Sequence, residues 1–124
     1  MDNDQTRVVR RGQEPGRRPA PRASLVVVHA QDLSQQGCRY PLGEEDLTLG
    51  RERGNTIVIP SESASRRHAR IFVSGGSHVL VDLESTNGTL LNGRPVQEQT
   101  LRHGDVIRAG SMVLRYSIDD ETES

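Results

Sequence analysis

The stretch "ARIFVSGGSHVLVDL", residues 69–83, decides the fold class of this sequence. Apolar and polar side chains alternate on both sides of the central "SGGS", which is the pattern of two half-buried β-strands. In the second strand the alternation predicts an apolar face of Val79, Val81 and Leu83 and a polar face of His78 and Asp82. The two glycines supply the positive φ that a hairpin turn requires. The stretch therefore predicts an antiparallel β-hairpin.

Further short apolar segments flank this hairpin in both directions, at roughly the 8–12-residue spacing that is typical of a sandwich or barrel. No stretch has the periodicity of an amphipathic helix. We therefore predict an all-β fold with strands at residues 25–30, 39–42, 47–50, 56–59, 69–73, 78–83, 89–92, 106–109 and 112–118.

Charge and composition divide the chain into three parts. Residues 1–23 hold six Arg and three acidic residues, whereas 119–124, "DDETES", hold four acidic residues. The segment 12–24, "GQEPGRRPAPRAS", has the composition of an extended linker. We expect a disordered basic tail at 1–23 and one folded domain at 24–118. Residues 119–124 are expected to be an acidic tail or the start of a linker to a further domain.

Composition also disfavours several classes of protein. Cys38 is the one cysteine, so the sequence offers no internal disulfide and no cysteine cluster for zinc. No apolar run approaches the roughly 20 residues that span a bilayer, and the start of the chain has no apolar signal-peptide core. We expect a cytoplasmic protein that does not contact membranes. Residues 24–118 hold ten Arg and ten acidic residues, and this balance argues against a nucleic-acid partner.

Enzyme signatures are also missing from the sequence. It contains no Gly-x-Ser-x-Gly elbow, no P-loop and no HExxH motif. All sixteen basic residues are Arg, which removes lysine nucleophiles and Schiff-base chemistry. The four histidines stand singly, without carboxylate partners at the spacing of a metal site. We expect no catalytic residue, no cofactor and no metal.

Polar clusters stand at the ends of the predicted strands, where a rigid scaffold displays binding residues. If the loops meet at one end of the sandwich, five side chains converge: Arg51, Ser65, Arg66, Thr86 and Asn87. Two guanidinium groups, two hydroxyls and an amide are the donors that a doubly charged phosphate needs. A further Asn-Gly pair at 92–93 marks another turn.

Each of these residues also has an ordinary structural interpretation when it is taken alone. Exposed arginines are usually only solvated, and a serine such as Ser65 often caps a local turn. Asn87-Gly88 is by default a hairpin turn, and His68 by default a hydrogen-bonded support. The functional interpretation therefore depends on these residues occurring together.

Several separated motifs occur in one order here, in "LTLGR", "SASRRHARI", "VLVDLESTNGTLLNG" and "LRHGDVIRAG". This arrangement resembles the forkhead-associated (FHA) domain over about residues 25–118. The resemblance implies a SMAD/FHA-type β-sandwich of two twisted antiparallel sheets with about eleven strands. It also implies recognition of phosphothreonine in partner proteins, without catalysis.

The resemblance assigns a role to each candidate residue. Arg51, Ser65 and Arg66 would contact the phosphate. Thr86 would line the pocket for the threonine methyl group, and Asn87 would bind the main chain of the peptide. Gly50, His68 and Gly88 would shape the loops without touching the ligand.

The partner implied is a phosphothreonine-containing protein, with a Ser/Thr protein kinase acting upstream. In this family the third residue after the phosphothreonine often sets preference, and Ser63 in place of an arginine favours an aliphatic residue there. Alternatively, Thr6 is a phosphorylation site and the phosphorylated tail occupies the chain's own pocket. A degenerate, purely structural copy of the domain is a further alternative. The chain is also compatible with the sensor domain of a larger kinase, transcription regulator or diguanylate cyclase.

Overall fold

The computed structural model describes residues 19–119. Thr6, the rest of residues 1–18 and residues 120–124 lie outside the described residues. Residues 19–119 form eleven strands and one short 3-10 helix, Leu33–Gln35. The strands are β1 Ala23–His29, β2 Arg39–Leu42, β3 Leu47–Gly50, β4 Ile57–Val58, β5 Ala69–Ser74, β6 Ser77–Asp82, β7 Thr89–Leu91, β8 Arg94–Val96, β9 Glu98–Thr100, β10 Val106–Ala109 and β11 Met112–Ile118.

The strands form two sheets, which confirms the predicted all-β sandwich. One sheet has five strands in the order β9-β6-β5-β3-β4, and the other has six in the order β2-β1-β11-β10-β7-β8. Every pairing is antiparallel except that of β3 with β4, which is parallel. The sheets are therefore mostly antiparallel, as expected, and the one parallel pairing lies at the edge where the short strand β4 returns beside β3.

The sequence pattern did not predict strands β8 and β9. Both are three-residue strands at the edge of a sheet, and all their residues except Val96 are exposed. Such strands bury little apolar surface, so the alternation that reveals a half-buried strand is missing from them. Their backbone pairing with β7 and β6 defines them instead.

The hydrophobic core lies between the two sheets and is mainly aliphatic. Leu25, Leu49, Ile71 and Leu114 are among its fully buried members. Tyr116 on β11 is the largest side chain in it, at 1% exposure. Since burial of an aliphatic side chain contributes roughly 1.5–3 kcal/mol, this modest core can hold a small sandwich together.

The predicted β5–β6 hairpin is present, but the expected faces of β6 are reversed. Its inward side chains are those of His78, Leu80 and Asp82, all buried, while Val79 on the other face is also buried, outside the core cluster. An alternating pattern predicts that polar side chains face solvent, but polar groups with hydrogen-bond partners can also be buried. Here each one is paired: Nδ1 of His78 lies 2.8 Å from the Tyr116 hydroxyl, and the Thr89 hydroxyl donates to Asp82 at 2.7 Å.

Hydrogen-bond geometry fixes the tautomer of His78. Its Nε2 faces the Gly43 carbonyl at 3.4 Å, which can only accept, so Nε2 carries the proton and Nδ1 accepts from the Tyr116 hydroxyl. Burial lowers the pKa of His78 and raises the pKa of Tyr116 to about 12. Both shifts favour the neutral forms, so β6 and β11 are linked by an uncharged hydrogen bond in the core.

Four connections meet at one end of the sandwich. These are residues 51–56 after β3, 59–68 between β4 and β5, 83–88 between β6 and β7, and the β10–β11 turn at Gly110. The opposite end holds the start of β1, because Ala23 pairs with Ile118 at the end of β11. The chain therefore enters the described fold at the end away from these loops.

Candidate functional site

Three of these connections are named loop 1 (51–56), loop 2 (59–68) and loop 3 (83–88). Backbone hydrogen bonds join loops 1 and 2: the Arg51 N–H donates to the Ser65 carbonyl at 2.9 Å, and the Glu52 N–H donates to the Arg66 carbonyl at 3.1 Å. The Asn55 side-chain amide donates to the same Arg66 carbonyl at 2.8 Å. Loop 2 is therefore held against loop 1 at the two residues that carry candidate ligand groups.

His68 links loop 2 to loop 3. Its ring is fully buried, and its Nδ1 accepts a hydrogen bond from the Ser65 N–H at 3.0 Å. Nε2 must therefore carry the proton, and it donates to the Gly88 carbonyl at 2.8 Å. This is the arrangement expected of a supporting residue, because neither ring nitrogen is left for a ligand.

The Ser65 side chain joins the same two loops. Its Oγ accepts a hydrogen bond from the Thr86 N–H at 2.9 Å. Because the hydroxyl acts as an acceptor in that bond, its own hydrogen is available to donate to a ligand. Asn87 makes a parallel connection, since its Nδ2 donates to the Ser63 carbonyl at 2.9 Å.

The Arg51 guanidinium group is hydrogen-bonded through Nε, and its terminal nitrogens have no hydrogen-bond partner within residues 19–119. Its Nε donates to the Ala64 carbonyl at 3.1 Å, while the side chain as a whole is exposed. Arg66 is exposed as well. Among residues 19–119, neither guanidinium group forms a salt bridge, although loops 1 to 3 contain the exposed acidic residues Glu52, Glu62 and Glu84. The terminal N–H groups of Arg51 are thus available to an anion.

Loop 3 is fixed at its base by Asp82. The buried carboxylate accepts the Ser85 hydroxyl at 2.5 Å and the Thr89 hydroxyl at 2.7 Å. Sequence reasoning missed this cluster and also missed Asn55. The sequence signal that could have revealed the Asp82 cluster is an acidic residue followed by hydroxyl residues three and seven positions later. The sequence around Asn55 indicates only a turn, so nothing in it predicts the hydrogen bond to the Arg66 carbonyl.

Gly50 is required by the close approach of loop 2. A Cβ on this buried residue would overlap the carbonyl group of Arg66 and would lie 2.8 Å from Nδ2 of Asn55. Gly88 has φ of 84°, in the left-handed region that favours glycine, so its role in turning loop 3 is conformational.

The five predicted binding residues therefore converge, since loops 1, 2 and 3 are bonded to one another. The Asn92-Gly93 turn does not join them. It connects β7 to β8 at the other end, where the Asn92 amide donates to Asp105 at 2.9 Å. Within residues 19–119 no helix is long and apolar enough to cross a bilayer. No group of three or more His, Cys, Asp or Glu side chains could hold a metal in that same span.

The fold and the site define a β-sandwich that presents arginine, hydroxyl and amide groups from three interlocked loops. The family model of the FHA domain matches residues 47–110, and the chain belongs to this family. The resemblance first noted in separate motifs is therefore confirmed.

Curated relatives share this domain within longer chains. FhaA of Mycobacterium tuberculosis, an FHA domain-containing protein, is 45% identical over 74 residues, which cover 60% of this chain and 14% of FhaA. The glycogen accumulation regulator GarA of Mycolicibacterium smegmatis is 33% identical over 96 residues, which cover 77% of this chain and 59% of GarA. The chain thus spans less than two thirds of either relative.

A solved FHA domain, from a structural and functional analysis of phosphothreonine-dependent FHA domain interactions, has the same fold. It superposes with a TM-score of 0.69 at 36% identity, covering 80% of this chain and 98% of the solved chain.

Replacing Gly50 by Ala should destabilise the domain, because the new Cβ collides with the backbone of loop 2. The expected loss in the free energy of unfolding is about 1–3 kcal/mol, measured by urea denaturation. Gly54→Ala is the matched control, since nothing lies within 4 Å of a Cβ at that position. It should change stability by less than about 0.5 kcal/mol. Equal stability of the two variants would contradict the close approach of Gly50 and Arg66.

Proposed function

We propose that this chain is a phosphothreonine-dependent protein–protein interaction module in Ser/Thr kinase signalling. The observation that supports this most strongly is the convergence of Arg51, Ser65 and Arg66 on loops that are hydrogen-bonded to one another. Family membership and the solved relative with phosphothreonine-dependent interactions support the same function.

Charge and pre-organisation favour a phosphate as the ligand. A phosphothreonine carries about −1.5 to −2 charges at neutral pH and has three strong acceptor oxygens. The Nε bond to the Ala64 carbonyl restrains the Arg51 guanidinium before the ligand arrives, so less conformational entropy is lost on binding. Each hydrogen bond to a charged group contributes roughly 1.5–3 kcal/mol. We assign Arg51, the Ser65 hydroxyl and Arg66 to the phosphate.

The peptide itself would be held by loop 3. The Nδ2–Ser63 bond orients the Asn87 amide and leaves Oδ1 and one N–H for the main chain of a peptide. Thr86 is exposed beside Ser65 and is assigned to the methyl group of the phosphothreonine. We assign Gly50, His68 and Gly88 to support of the loops.

A role in binding without catalysis completes the proposal. A protein kinase would phosphorylate the partner, and this chain would then capture the product. The name of the relative GarA, a regulator, is consistent with a non-catalytic function. We also propose that the chain acts in the cytoplasm, where kinases have access to ATP.

The binding assignment predicts that Arg51→Ala weakens binding of an oriented phosphothreonine peptide library by at least about tenfold, since one charge-assisted bond or more is lost. Arg67→Ala is the matched control, because Arg67 is an exposed arginine in loop 2, directly after Arg66, and is not assigned to the phosphate. Libraries with phosphoserine and with unphosphorylated threonine should bind poorly to the wild-type chain. Ser65→Ala is a less direct test, because it also removes the acceptor of the Thr86 N–H.

Affinities from fluorescence anisotropy and thermal melts of each variant would decide the assignment. Wild-type affinity in Arg51→Ala would contradict it. An equal loss in Arg67→Ala would contradict it as well, because the effect would then reflect net charge alone.

Capture of the chain's own tail is a second candidate, favoured by the dimensions of the fold. Thr6 stands about 16 residues before β1, and a coil of that length has a typical reach of roughly 20–24 Å. Strand β11 has seven residues and spans about 20 Å from the loop end to the end where β1 begins. A phosphorylated Thr6 would therefore reach the loops at about millimolar effective concentration.

Phosphorylation at Thr6 alone should lower the affinity for an external phosphothreonine peptide by about tenfold or more, because the tail competes at high effective concentration. The affinity of the semisynthetic phosphorylated chain can be compared with that of the unphosphorylated chain by isothermal titration calorimetry. Identical affinities would exclude self-capture and leave the proposed capture of partner proteins intact.

A further inference from the structure

Beside the phosphate site lies an open cavity of about 200 Å³. Ser63, Asn87, Gly88, Leu90, Arg108 and Gly110 line it. Asn87 is the residue assigned to the peptide main chain, and its amide donates to the carbonyl of Ser63. A peptide held by Asn87 would therefore lie next to this cavity.

The shape of the cavity depends on a contact between two connections. Gly110 in the β10–β11 turn has φ of 59°, and a Cβ on it would lie 2.9 Å from the Cβ of Ala64 in loop 2. The turn is thus packed directly against the loop that carries Ser63 and Ser65. The cavity adjoins the candidate site because Ser63 of loop 2 and Asn87 of loop 3 both line it.

Arg108 brings a cation to this cavity from outside the three loops. It lies on the outward face of β10, where its cross-strand neighbours are Leu90 on β7 and Val113 on β11. The next residues on this face are Pro95 on β8, Val106 on β10 and Arg115 on β11. None of these neighbours is acidic, and among residues 19–119 the exposed Arg108 forms no salt bridge.

We infer that Arg108 is a specificity-determining residue that selects an acidic side chain near the phosphothreonine of the peptide; the inference rests on the proposed function. The guanidinium plane binds a carboxylate through two parallel N–H bonds, and Leu90 supplies apolar contact for the methylene carbons of Asp or Glu. The expectation of an aliphatic residue came from Ser63 alone. Arg108 lies 45 positions later in the chain, and only the fold brings it to the same cavity.

An alanine-based phosphothreonine peptide series tests this selection. Asp is placed at one of the four positions on either side of the phosphothreonine, and each peptide is paired with its Asn counterpart. At one position or two adjacent positions, the wild-type chain should bind the Asp peptide about three- to fivefold more tightly than the Asn peptide, the range of a partly exposed ion pair. Raising the salt concentration should reduce this ratio.

Variants separate Arg108 from general electrostatics. Arg108→Ala should bring the Asp to Asn ratio to about one while the Asn peptides bind as before. Arg108→Glu should reverse the preference, so that a Lys peptide binds better than the Asp peptide at the same position. Arg115→Ala is the matched control, because Arg115 lies on the same sheet face and does not line the cavity. It should keep the wild-type ratio.

Three results would overturn the inference. One is phosphothreonine binding with no Asp preference at any position, which leaves the proposed function standing. Another is a preference for an aliphatic residue that persists in Arg108→Ala, which would mean that the cavity binds an aliphatic side chain of the peptide. The last is no phosphothreonine binding to any peptide, which would overturn both the inference and the proposed function.

Discussion

The arrangement of the site depends on the two hydrogen bonds of one buried imidazole. Nδ1 of His68 accepts from the Ser65 N–H, and Nε2 donates to the Gly88 carbonyl. The His68 ring, which accepts through Nδ1 and donates through Nε2, thereby fixes the distance between loops 2 and 3. Without it, the partly buried Ser65 N–H and Gly88 carbonyl would lose their partners, at a cost of up to about 1–3 kcal/mol each. The Ser65 hydroxyl can then accept the Thr86 N–H, and the two loops present their ligand groups together.

Much of the fold was predictable because its strands follow a simple alternation and its turns contain glycine. The β5–β6 hairpin was identified from alternation on either side of Gly75-Gly76, and both glycines have positive φ. The short strands β8 and β9 were missed because they bury almost nothing. The inward face of β6 was assigned wrongly because two of its core residues are polar. Their partners, Tyr116 and Thr89, lie on other strands and leave no local signal.

The residues of the candidate site occur in recognisable motifs, and three of its supports, Gly50, His68 and Gly88, belong to the same motifs. The other supports, Asn55 and Asp82, were not predicted. The five candidate binding residues occur in short motifs at strand ends, so the order of the motifs was enough to propose them. Long-range contacts hold them in position. The Asn55 side chain in loop 1 donates to the Arg66 carbonyl in loop 2. Arg108, which lines the neighbouring cavity, lies on strand β10 of the six-stranded sheet and is likewise distant in the sequence. The adjacent arginines of loop 2 also differ in a way that the sequence does not reveal. The Arg66 carbonyl accepts hydrogen bonds from the Glu52 N–H and the Asn55 amide, which fix its backbone. Arg67 is exposed.

We propose that the three interlocked loops form one phosphothreonine site. A ¹⁵N–¹H NMR titration of the chain with an acetylated, alanine-based phosphothreonine peptide at millimolar concentration tests it most directly. The amide signals of Arg51, Ser65, Arg66, Thr86 and Asn87 should shift together along one binding curve. The unphosphorylated peptide should leave them in place. Unchanged signals, or shifts confined to residues at the other end of the sandwich, would contradict a phosphothreonine site formed by these loops.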